Sequence, residues 1–100
     1  MQENKIIEKA AISEQEAQQV LDQIKDIIVE TIHCEEKELI LSARWKNDLG
    51  ADLLDMAFIM TAIDSKLDMY VNDQDGWEDD SSLRDTCCGI ARTLKQMGRL

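Results

Sequence analysis

Three segments of this chain repeat apolar residues at intervals of three and four, each introduced by a residue able to cap a helix, and no proline interrupts them. Such spacing gathers apolar side chains onto one stripe of an α-helix and turns that stripe toward a core. Ser13, with Glu16 three residues on, forms a capping box and predicts a helix starting near Glu14. Its stripe is Val20, Leu21, Ile24, Ile27, Ile28, Thr31 and Ile32. Asp52, with Asp55 three residues on, predicts a second start, followed by Met56, Ile59, Met60, Ile63 and Leu67. Ser82 or Ser81 caps a third segment carrying Leu83, Cys87, Ile90, Ala91, Leu94 and Met97. Gly89 inside that segment costs about 1 kcal/mol relative to alanine, which predicts a packing reason for it. The expected fold is all-α: a small bundle of three main helices plus a short helical turn near Trp77, with a long first loop and a crossing connection.

Between the first two helices, residues 33–51 read as that loop, with Leu39, Leu41 and Trp45 as apolar anchors and Gly50 permitting a tight turn. A bare loop of this length is unusual in a compact domain and is often functional. Residues 1–12 read as a frayed tail in which Ile6, Ile7 and Ala10 add at most a turn, and residues 13–100 as the domain. Val71 allows a brief extended contact.

One hundred residues make one small domain, able to bury roughly two-thirds of its unfolded surface. The 21 acidic and 11 basic side chains give a formal charge of −10. That field repels nucleic-acid backbones and anionic membranes and attracts basic protein surfaces. No apolar stretch approaches a membrane span, and the first residues lack the apolar centre of a secretion signal, so a cytoplasmic location is expected. Cys34, Cys87 and Cys88 are odd in number and without framework spacing. Adjacent Cys87 and Cys88 would form a strained disulfide, and reduced thiols are the simpler reading.

"DLGADLLDM" at 48–56, followed by "AFIMTAIDSKLDMYV", resembles the acyl carrier proteins. That family's signature is Asp-Leu-Gly-Ala/Gly-Asp-Ser-Leu-Asp at the start of the second helix. Asp48, Leu49, Gly50, Ala51, Asp52, Leu54 and Asp55 match it. The upstream "IKDIIVETIHCEEKELILSARWKNDLGAD" is similar to the family's first helix and long loop, and Trp45 falls where an aromatic usually sits. Leu67 and Val71 fall where the family closes its core, and the likeness covers roughly residues 20–97. It implies an acidic helical bundle, associated with fatty-acid or polyketide-type biosynthesis, that docks to basic surfaces of synthase or acyl-transfer enzymes. The one mismatch is Leu53. In the family, a serine there carries 4′-phosphopantetheine as a phosphodiester. Leucine has no hydroxyl, so the resemblance implies a carrier-like chain without that cofactor.

Three readings of Leu53 stand: natural loss of the attachment serine, an engineered replacement in a genuine acyl carrier, or a core residue in a shifted register. The first is preferred, because blocks of this kind usually use alanine and Leu54 already supplies an inward-facing side chain. The family's second helix also carries several acids on its exposed face. Here Phe58, Ser65 and Lys66 replace three of them, while Asp52, Asp55 and Asp64 remain. Asp52, Asp55, Met56, Phe58 and Asp64 are therefore the expected partner-binding residues. Leu53 and Phe58 either face a partner or pack under the long loop. A free acyl chain held near Ile59, Ile63 and Ile90 is a further possibility.

Other constellations are weaker. With Gly76 at position 6 of a calcium loop, Asp73 and Asp75 fit positions 3 and 5, but Val71 and Ser82 stand where the first ligand and the bidentate glutamate belong. His33, Cys34, Cys87 and Cys88 lack zinc-ligand spacing, and adjacent ligands on a helix point about 100° apart. His33 and Cys34 have no orienting partner for nucleophilic catalysis, and no enzyme is expected. Trp45 and Trp77 read as loop residues pinned to the core rather than a ligand platform. A monomer is expected.

Overall fold

The computed structural model describes residues 12–70, 77 and 80–100 of the chain. They form three helices, α1 (Glu14–Ile32), α2 (Leu53–Leu67) and α3 (Leu83–Gln96), with a single 3₁₀ turn at Glu36–Glu38. The fold is all-α, as the three capped stripes predict. No described helix is long and apolar enough to cross a membrane.

Each helix starts where its cap dictates. Ser13 Oγ accepts from the Glu16 N–H at 3.1 Å, and the Glu16 carboxylate accepts from the Ser13 N–H at 3.0 Å. Asp52 and Asp55 exchange the same pair of bonds, at 2.8 and 3.2 Å. At the third start the cap is Ser82, not Ser81, because only Ser82 has a carboxylate, Asp85, three residues on to return the bond. Helix α1 ends on His33, in the left-handed region at φ 59°, with its N–H donated to the Val29 carbonyl at 2.8 Å.

The core lies where the three stripes meet. Helix α1 packs against both α3 and α2. It contributes Ala17, Val20, Leu21, Ile24 and Ile28; α2 contributes Ile59, Ile63 and Leu67; α3 contributes Leu83, Cys87, Ile90, Ala91 and Leu94. Gly89 is also buried. Ile27 and Ile32 pack half-buried at the margin. Met97 departs from the expected stripe: it is the cap beyond the last turn of α3 and is exposed. The Lys66 ammonium ties α2 to α1 through the Gln23 carbonyl and the Asp26 carboxylate, and holds the Asp26 carboxyl below its ordinary range.

The long loop is strapped onto the start of α3. Leu39, Leu41, Ala43 and Trp45 are buried at every second position, while Ile40, Ser42 and Arg44 between them face solvent. The backbone explains why the loop is held there. A helix leaves its first four N–H groups without intrahelical acceptors. In α3 the Leu83 N–H donates to the Ala43 carbonyl and the Arg84 N–H to the Leu41 carbonyl, both at 2.8 Å. The Asp85 N–H goes to Ser82 Oγ and the Ser82 N–H to the Asp85 carboxylate, so all four are satisfied. Trp45 N–H to the Ser81 carbonyl completes a single antiparallel bridge, Arg44 with Ser82. Arg44 and Asn47 both bond to Asp80, which locks the strap laterally. The strap then turns at Gly50, whose φ of +70° suits glycine.

The expected tail falls outside the described residues except for Ile12, which packs half-buried against the core. The short helical turn expected near Trp77 and the contact expected of Val71 involve residues outside the described set. Trp77 itself is non-helical.

Candidate functional site

The first turn of α2 is where the motif residues converge. Asp48, the first of them, is structural: its carboxylate accepts the Arg44 N–H at 2.8 Å and caps the turn before Gly50. Asp52 and Asp55 are committed to the capping box described above. Leu53 is the first helical residue and is 87% exposed. It is therefore neither a core residue in a shifted register nor covered by the long loop.

Leu54 corrects an expectation. The side chain expected to face inward is 63% exposed. The reason is helical phase. The core side of α2 is set by Ile59, Ile63 and Leu67, and at 100° per residue Leu54 lies about 140° from Ile59. Phe58, 58% exposed, sits one turn beyond Leu54 on the same outer strip. Met56 is half-buried against the core. Asp64 is half-buried further along, and its carbonyl accepts from both Asp68 and Met69.

Chemically, this helix start lacks a nucleophile. Ser42 is exposed on the loop, and Thr61 is two turns further along the helix, about 12 Å away. An anion drawn to the helix dipole would meet the Asp52 and Asp55 carboxylates. What the region offers instead is apolar surface. A groove of about 830 Å³ opens beside the turn, lined on the α2 side by Leu53, Met56, Ala57, Met60 and Thr61 and opposite by Trp45 and Trp77. Of these, Met60 and Thr61 are not among the residues the sequence points to as a site. The signal that finds them is that α2 is apolar on every side, with only Asp55, Asp64 and Lys66 charged.

The two tryptophans form the opposite wall of the groove. Trp45 is 1% exposed, and its indole N–H donates to Thr86 Oγ1 at 2.7 Å. Trp77 stacks on it with ring centroids 5.8 Å apart and planes 18° from parallel. The Trp77 indole N–H is buried without an acceptor among the described residues. Ile59, Ile63 and Ile90, suggested as the lining of an acyl cleft, are instead fully packed in the core.

No group of three or more metal-ligating side chains gathers among the described residues. Val71, Asp73, Asp75 and Gly76 of the calcium-loop reading lie outside them. Ser82 spends its hydroxyl capping α3. His33 is exposed, Cys34 and Cys88 are half-buried, and Cys87 is enclosed.

Burial pushes the Cys87 thiol up to about 12 from an ordinary 9.0, and raises Cys34 and Cys88 as well. The thiolate is the reactive form, so burial lowers the reactivity of all three, most at Cys87. The raised value also fixes a pH dependence. The contribution of Cys87 to stability is complete below the ordinary thiol value and is lost as pH rises through its folded value. In native protein, a maleimide followed by intact-mass analysis is expected to label Cys34 and Cys88 slowly and Cys87 only at the rate of unfolding. Prompt labelling of Cys87 would show that α3 is not packed as described.

No family model matches the chain.

Proposed function

We propose that this chain is an acyl-carrier-like bundle that has no covalent attachment point and works through protein contacts made by α2. The observation that carries the reading is Leu53: a hydrocarbon, 87% exposed, at the first position of the helix whose preceding turn spells the carrier motif. A residue kept there for packing would be covered. A large exposed apolar side chain beside Leu54 and Phe58 instead forms the kind of patch that marks interfaces. Asp52, Asp55, Met56, Phe58 and Asp64 surround or extend this surface, and the formal charge of −10 favours basic surfaces of synthase or acyl-transfer enzymes as partners. On this reading the protein is a cytoplasmic, non-enzymatic partner of acyl-processing proteins, with no resident 4′-phosphopantetheine. The alternative, a genuine acyl carrier with its serine replaced, shares the fold and differs only in the origin of Leu53.

Incubation with coenzyme A, magnesium and a broad-specificity phosphopantetheinyl transferase, followed by intact-mass measurement, tests the reading. The mass is expected to stay unchanged. Gain of one phosphopantetheine would overturn it.

A further inference from the structure

We draw no further inference here: the strongest candidate, the groove between α2 and the stacked Trp45 and Trp77, carries nothing, because residues joining α2 to α3 lie outside the described set and nothing in the structure shows what covers it.

Discussion

Trp45→Ala is expected to lose about 3–5 kcal/mol of stability, the range for truncating a buried aromatic. Against a total of about 5–15 kcal/mol for domains of this kind, that brings the chain close to unfolding. The loss has several sources in one side chain. Trp45 is among the largest fully buried residues, it holds Thr86 on α3 through its indole N–H, and it is the surface on which Trp77 stacks. It is also the last buried anchor of the strap, so its removal loosens the segment that satisfies the first N–H groups of α3. Urea titration followed by far-ultraviolet circular dichroism checks this, with a lower midpoint and an unchanged slope as the expected form. Phe58→Ala serves as the internal contrast. Phe58 is 58% exposed, and its truncation is expected to stay within about 0.5 kcal/mol. If the two variants proved equally mild, the strap would not be docked as the structure has it.

This contrast also marks what the sequence discloses. The helix starts are legible because capping is local: a serine or aspartate bonds a backbone group three residues away, so Ser13, Asp52 and Ser82 announce themselves. Trp45 was legible as an anchor because a large aromatic in a polar loop has few places to go but the core. The strap's backbone pairing was not legible. It joins Leu41 and Ala43 to Arg84 and Leu83, some forty residues away, through N–H and carbonyl groups that every residue carries. Leu54 failed for a different reason. Two leucines side by side at a helix start invite the assumption that one faces inward, but the phase is fixed downstream by Ile59 and Ile63, and it turns both outward. The groove beside α2 was half legible. The sequence shows a helix that is apolar on every side, and such helices are normally enclosed. It does not show that α2 and α3 touch each other far less than each touches α1, because that depends on how α1 sets its two neighbours apart.

Leu53→Ser is expected to convert the chain from a protein that a phosphopantetheinyl transferase leaves untouched into one that gains a single phosphopantetheine. The change of outcome is complete because the difference is one of available atoms. A hydroxyl at the first position of α2 is nucleophilic once deprotonated and stands in solvent, whereas the native side chain offers only carbon and hydrogen. Little else needs to change. Position 53 is 87% exposed, so the substitution removes no core contact and opens no cavity. Asp52 and Asp55 keep their capping box, so the helix start stays where it is. The docking face is the part that decides the rate. With Phe58, Ser65 and Lys66 where the resembled family places acids, the modifying enzyme meets a weaker electrostatic lure, and slow modification is expected, further slowed by salt. Intact-mass time courses at two salt concentrations read both features at once. Slow, salt-sensitive gain supports a carrier fold whose recognition surface has been redirected. Fast gain, insensitive to these replacements, supports a working carrier in which position 53 alone was altered. No gain at any enzyme concentration, in a variant that circular dichroism shows to be folded, removes the carrier reading and leaves the apolar face of α2 as the surface to explain.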